Sequence, residues 1–293
     1  MKEIIGTGVA LLTPFNDDKT IDFQSLEKLV NYVIEGGVDY LVVLGTTAET
    51  ATLSQVEKKQ VIEAITKYNN NRIPMVLGIG GNNTNEVVEQ IKNANLKDFV
   101  AILSVSPYYN KPTQEGIYQH YKLVAESSKL PIILYNVPGR TGSNIEPSTT
   151  IRLANEVKNI VAIKEASPNF SQAMELLRDK PKDFLVISGD DDFALPITLA
   201  GGSGVISVIG QGFPKEFSKM IRLGLKNEVA ESYKLYFSLM ESINLIFKEG
   251  NPAGIKALLS VKDICKDQVR LPLVKASQNL KNQLEEQINK IKK

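Results

Sequence analysis

Lys164 interrupts a run of apolar residues, and this is the sharpest chemical signal in the sequence. Residues 160–163 read Ile-Val-Ala-Ile, which is typical of a buried strand. Lysine is seldom buried without a reason, and a desolvated amine loses its proton more readily and can attack a carbonyl carbon to form an imine. A lysine that reaches solvent or pairs with Glu165 is an equally good interpretation of this residue alone.

Three hydroxyl groups lie near the ends of other apolar runs, on Thr47, Tyr109 and Tyr135. A hydroxyl can both donate and accept a proton. Carbinolamine formation, loss of water and enamine formation each move a proton. A single tyrosine in such a loop is more often a packing residue, but three hydroxyls that converge on Lys164 favour catalysis.

Residues that could bind a carboxylate follow two of the apolar runs. Arg140 lies between Pro138-Gly139 and Thr141-Gly142, a turn-rich stretch that could direct a guanidinium towards a carboxylate. An exposed surface arginine is an equally good interpretation. Thr46 and Thr47, with their backbone amides, could bind a second small carboxylate.

Three consecutive carboxylates, Asp190, Asp191 and Asp192, follow the apolar run at 184–188. Clustered carboxylates after a strand suit a hard cation such as magnesium. The interpretation that we favour is that one of them caps the helix beginning near Phe193, where free amides and the helix dipole stabilise an aspartate.

The composition fits a globular protein and excludes several kinds of site. The chain has 293 residues, 43% hydrophobic and 23% charged, enough to bury one large core. Its one histidine, His120, cannot supply a zinc site built from several imidazoles, and we expect it on a helix surface. Its one cysteine, Cys265, excludes an intrachain disulfide and is predicted to be a small buried residue.

Charge and hydropathy point away from macromolecular partners. The 34 basic and 33 acidic residues give a net charge of +1, and the short stretch 289–293 is the one basic cluster, so no nucleic acid is expected. No apolar run reaches the roughly 18 residues of a membrane span. The first apolar run begins at Ile4, which leaves no room for a charged leader. We expect a cytoplasmic protein that contacts no membrane.

Short runs rich in β-branched residues alternate with helical segments, which is typical of repeated strand and helix units in a parallel sheet. The predicted strands are 8–12, 40–44, 75–79, 100–105, 132–136, 160–165, 184–188 and 204–208. The predicted helices between and after them are 23–35, 54–68, 84–95, 114–127, 148–155, 170–178, 193–200 and 214–225. Helices near 228–247, 252–260 and 273–291 follow without strands.

Eight such units close a (β/α)8 TIM barrel, whose active site is built from the loops after the strands. An open doubly wound sheet is the weaker alternative, because Gly78-Ile79-Gly80-Gly81 lacks the third spaced glycine of a dinucleotide site. We predict an α/β fold with a catalytic barrel over 1–227 and a C-terminal three-helix subdomain over 228–293.

Five segments, in order, resemble motifs of the dihydrodipicolinate synthase and N-acetylneuraminate lyase family. They are Gly45-Thr46-Thr47-Ala48-Glu49, Pro107-Tyr108-Tyr109, Tyr135-Asn136-Val137-Pro138-Gly139-Arg140-Thr141-Gly142, Ile163-Lys164-Glu165 and Gly204-Val205-Ile206-Ser207-Val208. This combination is highly specific and covers the whole barrel. Ala48 stands where the family commonly has glycine, which can alter the loop but leaves the reacting groups untouched.

The resemblance implies a class I aldolase-type lyase that needs no cofactor or metal. Lys164 would form an imine with pyruvate, and Tyr135 would relay protons through Thr47 and Tyr109. Tyr109 would come from a neighbouring subunit of a homotetramer, a dimer of dimers. Arg140 favours the members that condense pyruvate with L-aspartate 4-semialdehyde in the diaminopimelate route to L-lysine, where it would hold the carboxylate of the semialdehyde.

The resemblance also locates the substrate pocket. The backbone carbonyl of Ile206 would line the pyruvate site, and Gly189 and Thr46 would contribute to it. Two rivals remain: an aldolase of the same family acting on sialic acid or a sugar-derived keto acid, and a non-catalytic barrel that binds keto acids. Arg140 argues against the first, and the set of Lys164 with its hydroxyls argues against the second.

A separate interface site for feedback by L-lysine is implied as well. Its expected residues are Thr50, Ala51, Gln55, Lys58, Asn82, Glu86 and Tyr108. Asn82, Glu86 and Tyr108 match that site, whereas Gln55 and Lys58 stand where lysine-sensitive relatives often have histidines. The Lys58 ammonium would repel the ammonium groups of the effector, so we expect weak or absent inhibition.

Overall fold

The computed structural model describes residues 1–291 and shows a closed barrel surrounded by helices. Within those residues, eight parallel strands follow one another in chain order, and the last closes the barrel against the first. They are β1 (Gly6–Ala10), β2 (Tyr40–Val43), β3 (Met75–Gly78), β4 (Ala101–Val105), β5 (Ile132–Asn136), β6 (Ile160–Glu165), β7 (Leu185–Ser188) and β8 (Gly204–Ser207). The predicted (β/α)8 fold is confirmed.

Helices connect the strands and pack outside them. They are α1 (Phe23–Glu35), α2 (Gln55–Asn69), α3 (Thr84–Asn93), α4 (Gln114–Ser127), α5 (Pro138–Thr141), α6 (Pro147–Glu156), α7 (Phe170–Asp179), α8 (Ala194–Leu199) and α9 (Pro214–Leu225). Short 3-10 turns at Thr46–Ala48, Thr50–Thr52 and Ile209–Gln211 occupy the loops after β2 and β8.

Three further helices follow the barrel, α10 (Val229–Lys248), α11 (Ala253–Val261) and α12 (Gln278–Ile291). Helix α10 packs against α8 and α9, and α11 packs against the turn after β8. In the part of the chain that the structure describes, no helix is long and apolar enough to span a bilayer. Through the contact of α11 with the turn after β8, the C-terminal helices reach the end of the barrel where the strands terminate.

The barrel interior is filled by side chains from alternate positions along each strand, because successive side chains point to opposite faces. Those that meet inside include Val42, Val76, Leu103, Ile133, Ala162, Ile187 and Ile206. Gly8 cannot carry a side chain, since a Cβ there would lie 2.2 Å from the Tyr40 ring. The Tyr40 ring fills that space instead.

Local capping explains most of the helix starts. Ser54 forms a capping box at α2: its hydroxyl accepts from the Glu57 amide at 3.2 Å, and its own amide donates to the Glu57 carboxylate at 2.8 Å. At α3 the capping residue is Asn83, whose side chain accepts from the amide of Asn85. Apart from the first strand and the last helix, the boundaries of the helices and strands agree with the predictions to within a few residues.

Two predicted elements have shifted limits. The first strand ends at Ala10, and Leu12, although buried, donates its amide to the Gln211 side chain instead of to a neighbouring strand. The last helix begins at Gln278 rather than 273, since the Ser277 hydroxyl accepts from the amide of Leu280 and starts the helix there. Apolar character alone did not distinguish burial from regular pairing.

The prediction that His120 lies on a helix surface is wrong. His120 is 3% exposed, and its Nδ1 forms a hydrogen bond of 2.9 Å with the Thr84 hydroxyl. Burial lowers its pKa to about 4. The imidazole is therefore a neutral packing residue between α3 and α4.

Candidate active site

Lys164 lies inside the barrel on β6, across from Tyr135 on β5. The lysine is 5% exposed, and its Nζ lies 4.3 Å from the centroid of the Tyr135 ring. Glu165, the next residue, faces the opposite side of the strand because side chains alternate. The interpretations in which Lys164 reaches solvent or pairs with Glu165 therefore do not hold, and its amine is enclosed with a phenol.

The electrostatic environment of Tyr135 suits proton transfer. Burial raises the pKa of the Tyr135 phenol, but positive charge on Lys164 and Arg140, together with hydrogen bonding by Thr46 and Lys164, outweighs burial and lowers it below its ordinary value. A phenol with a lowered pKa releases its proton more easily than a free tyrosine. Tyr135 can therefore serve as a proton donor and acceptor beside Lys164.

Gly189, at the end of β7, leaves room for the lysine side chain. A Cβ at this position would lie 3.0 Å from both Cγ and Cε of Lys164 and 2.6 Å from the Cβ of Ala166. Gly189 thus lies beside Lys164, and its contribution to substrate binding stays a prediction. Ile206 is fully buried on β8 within the barrel interior; the role of its carbonyl stays a prediction.

The two threonines after β2 have different surroundings. Thr47 is 2% exposed, and its hydroxyl accepts a hydrogen bond of 3.0 Å from the Asn251 amide. It is Thr46, an exposed residue, whose hydroxyl interacts with the Tyr135 phenol. The 3-10 turn directs the two side chains differently, so the hydroxyl next to Tyr135 is that of Thr46, and which threonine relays protons stays a prediction.

Arg140 lies in α5 at the rim of the barrel. Its side chain is exposed, and Nη2 donates to the backbone carbonyl of Asn251 at 3.3 Å. The guanidinium is close enough to lower the pKa of Tyr135. The guanidinium therefore lies near Tyr135, and a role of Arg140 in binding a carboxylate stays a prediction.

Tyr109 does not join the other hydroxyls within its own chain. It is 87% exposed, and its backbone has a positive φ of 75°, which is uncommon for a residue with a side chain. Its amide donates to the Thr141 carbonyl at 3.4 Å, which attaches this loop to the C-terminal end of α5. Among the described residues, no hydrogen bond to its phenol is present, so the side chain extends away from the barrel.

None of the three aspartates caps α8, which starts after Phe193 without a side-chain cap. Asp191 is instead 1% exposed and accepts from the amides of Val208 and Ile209 at 3.1 and 2.9 Å. Burial raises its pKa to about 6. Asp191 therefore stabilises the turn after β8 and not the helix that follows β7.

The residues predicted for lysine feedback lie on the turn after β2, on α2, on α3 and on the Tyr108 loop. Asn82 donates to the backbone carbonyl of Tyr108 at 3.3 Å, which places these two together. The Thr50 hydroxyl donates to the Gly45 carbonyl at 2.8 Å and is used within its own turn. Glu86 and Gln55 are exposed, as is Ala51, whereas Lys58 is partly buried. Whether these groups form a ligand site stays a prediction.

Sequence reasoning missed the residues that support the threonine turn. Glu49 has a left-handed backbone with φ of 54°, and its carboxylate lies 2.5 Å from Nζ of Lys256 on α11, with both side chains almost fully buried. The Arg270 amide donates to the second oxygen of Glu49 at 2.9 Å. The available signal was a lysine within the apolar stretch of α11, the same kind of signal that marked Lys164.

A closed (β/α)8 barrel with a lysine buried beside a phenol at the end of β6 defines an imine-forming lyase of class I aldolase type. The chain belongs to the dihydrodipicolinate synthetase family, whose model matches residues 3–291.

Individual relatives agree over nearly the full length. A 4-hydroxy-tetrahydrodipicolinate synthase from Flavobacterium psychrophilum is 61% identical, covering 97% of each chain. The crystal structure of a dihydrodipicolinate synthase from Thermotoga maritima matches with a TM-score of 0.96 at 37% identity, covering 99% of both chains. A relative from Cyanidioschyzon merolae, crystallised with lysine bound, has a TM-score of 0.92 at 33% identity and covers 98% of both chains.

Proposed function

We infer that this chain acts as a 4-hydroxy-tetrahydrodipicolinate synthase, a lyase that condenses pyruvate with L-aspartate 4-semialdehyde on the route to L-lysine. The observation that carries this inference is the buried Lys164 with its Nζ 4.3 Å from the Tyr135 ring. The full-length similarity to enzymes of that name supports it. A cytoplasmic location stays a prediction.

The arrangement suits imine chemistry with pyruvate. The Lys164 amine attacks the ketone carbon, and loss of water from the carbinolamine gives an imine. Tyr135, with Thr46 beside it, supplies and removes the protons of these steps. Loss of a methyl proton then gives an enamine, whose carbon attacks the aldehyde of the second substrate. Attack of the substrate amino group on the imine carbon closes the ring and frees Lys164.

The second substrate requires a site for its carboxylate, and Arg140 is the residue that we assign to it. The guanidinium lies at the rim and can form a bidentate pair with a carboxylate. Its hydrogen bond to the Asn251 carbonyl holds it near Tyr135. This role distinguishes the semialdehyde from a neutral sugar aldehyde.

We assign Tyr109 to the active site of a neighbouring subunit in a homotetramer built as a dimer of dimers. The support is its geometry, since a phenol that is 87% exposed on a loop with positive φ extends away from its own barrel. The same loop is attached to the C-terminal end of α5, so its position depends on the helix that carries Arg140.

Borohydride reduction in the presence of pyruvate tests the function, because reduction converts an imine into a stable amine. Intact-mass and peptide analysis should find the adduct on Lys164, and Lys164→Arg should abolish it, since a guanidinium stays protonated. Labelling of another lysine would overturn the mechanism. A product assay with pyruvate and either L-aspartate 4-semialdehyde or N-acetylmannosamine then separates the synthase from a sialic acid lyase.

A further inference from the structure

Strands β5 and β6 pair with a register shift just before the reactive residues. Ile132 pairs with Ile160, but Ile133 pairs with Ala162, so Val161 is an extra residue on β6. The shifted register then continues to Tyr135 and Lys164. Without the shift, Tyr135 would lie opposite residue 163, and Lys164 would lose its phenol neighbour.

The next cross-strand pair is Asn136 with Glu165, on the outer face of the barrel wall. The Asn136 amide donates to both carboxylate oxygens of Glu165, at 3.0 and 3.1 Å. The Ser167 amide donates to one of these oxygens at 2.7 Å, and the Gln172 side chain donates to the other at 2.9 Å. The carboxylate thus joins β5, β6 and the start of α7.

Glu165 is buried without a positive partner. It is 2% exposed, and among the described residues no cationic side chain acts on its carboxylate. Burial raises its pKa, and the donors from Gln172, Asn136 and Ser167 oppose that shift. A buried carboxylate is costly unless its oxygens are satisfied. The Glu165 carboxylate can keep its hydrogen bonds to Asn136 and Gln172 only in the shifted register. A slip of one residue would turn the Asn136 or Glu165 side chain to the other face.

We propose that Glu165 is a positioning residue for the imine chemistry: by binding Asn136 and Gln172, its carboxylate holds β5 and β6 in the shifted register that places Tyr135 against Lys164. The proposal rests on the proposed function of Lys164 and Tyr135. Glu165 itself does not touch the substrate, and it acts on the reaction through the alignment of the two inward residues.

The variant Glu165→Gln tests this because it keeps the shape of the side chain but places an amide N–H against the Asn136 and Gln172 donors. Imine formation with pyruvate, followed by timed borohydride trapping, should be roughly ten- to a hundredfold slower, since small misalignments of reacting groups have effects of this size. The matched control is Glu175→Gln, an exposed residue on α7. It should form the imine at the wild-type rate.

Two double variants separate alignment from general destabilisation. In a Tyr135→Phe background, Glu165→Gln should slow imine formation by less than twofold, because the phenol that it aligns is already gone. The swap Glu165→Gln with Gln172→Glu restores donor and acceptor complementarity and should recover most of the rate. Full additivity with Tyr135→Phe, or no recovery in the swap, would overturn the proposal. If Glu165→Gln does not fold, Gln172→Met, which removes one donor, takes its place in the same cycle.

A crystal structure of the variant gives a readout that does not depend on activity. The distance from Lys164 Nζ to the Tyr135 ring centroid should exceed the present 4.3 Å. An unchanged distance would overturn the role of Glu165 even if the wild type forms the imine. Absence of any pyruvate adduct in the wild type would instead overturn the proposed function, whatever the variant distance.

Discussion

The two halves of the site are built from different parts of the fold. Lys164 and Tyr135 lie on adjacent strands, are at most 6% exposed and already face each other. Arg140 lies in the short helix α5 and Tyr109 on the loop after β4, both beyond the strands, and both are exposed, with Tyr109 at 87%. The two residues that we assign to pyruvate therefore already face each other within one chain, whereas Tyr109 is assigned to the site of a neighbouring subunit.

Two buried glutamates support the site, one behind the strand half and one behind the threonine turn, and their carboxylates are satisfied differently. Glu165 behind the strand half is bound only by neutral donors from nearby segments. Glu49 behind the threonine turn is paired with Lys256 from a distant helix. The strand half thus depends on local register, whereas the threonine turn depends on α11 and Arg140 on the carbonyl of Asn251.

Breaking the strand half should have the largest effect. Tyr135→Phe removes the phenol beside Lys164 and should lower kcat by about two to four decades, the usual contribution of a general acid or base. Steady-state kinetics measure this. Tyr233→Phe, on α10, is the matched control and should leave kcat unchanged. A loss of less than fivefold would show that Tyr135 is not the proton carrier.

Removing Arg140 from the loop half should impair use of the second substrate alone. Arg140→Ala removes a charge-assisted contact worth about 1.5 to 3 kcal/mol, so kcat/KM for the semialdehyde should fall by roughly one to two decades. Imine formation with pyruvate should be largely intact. Arg140→Lys keeps the charge without the bidentate geometry and should be intermediate. An unchanged kcat/KM in the alanine variant would refute the assignment.

The dependence of the loop half on another subunit can be tested by mixing. Tyr109→Phe should reduce kcat about tenfold or more, as loss of a relay group does. Reassembled mixtures of Tyr109→Phe with Tyr135→Phe should recover part of the activity, because some sites then receive both phenols. No recovery after reassembly, checked by native mass spectrometry for mixed oligomers, contradicts a shared relay.

The two threonines should separate into a kinetic and a structural role. Thr46→Val removes the hydroxyl beside Tyr135 and should lower kcat roughly tenfold with little change in Tm. Thr47→Val leaves the buried Asn251 amide without an acceptor and should cost about 1 to 3 kcal/mol of stability with a smaller effect on kcat. Each variant is the control for the other. The reverse pattern would return the relay role to Thr47.

The smallest expected effect concerns feedback. At an effective dielectric near 20, the Lys58 ammonium would repel a bound lysine by on the order of 1 kcal/mol or more, a several-fold loss of affinity. Titration of L-lysine into the condensation assay should therefore show weak or no inhibition. Lys58→His should increase it, and Lys59→His, on the exposed side of α2, serves as the control. Strong submillimolar inhibition of the wild type contradicts this expectation.

The sequence predicted the strand half well because its signals are local. The apolar run before Lys164 and the turn after Tyr135 lie within a few residues of the reacting groups, and both strands have the predicted limits. The sequence did not predict the direction of individual side chains or the contacts between residues far apart along the chain. Nothing local shows which threonine of a 3-10 turn faces inward, or that Asn251 contacts Thr47 across 204 positions. His120 was misplaced because a single polar residue does not reveal which helix face is covered.

The ion pair between Glu49 and Lys256 has a consequence for how this chain can vary during evolution. Replacing either residue alone leaves a buried charge without its partner, at a cost of about 3 to 5 kcal/mol. The two positions lie 207 residues apart, on opposite sides of the proposed subdomain boundary at 227/228. Recombination between diverged homologues at that boundary would separate them. Viable exchanges must therefore carry the turn and α11 together, so the C-terminal helices are inherited as part of the site.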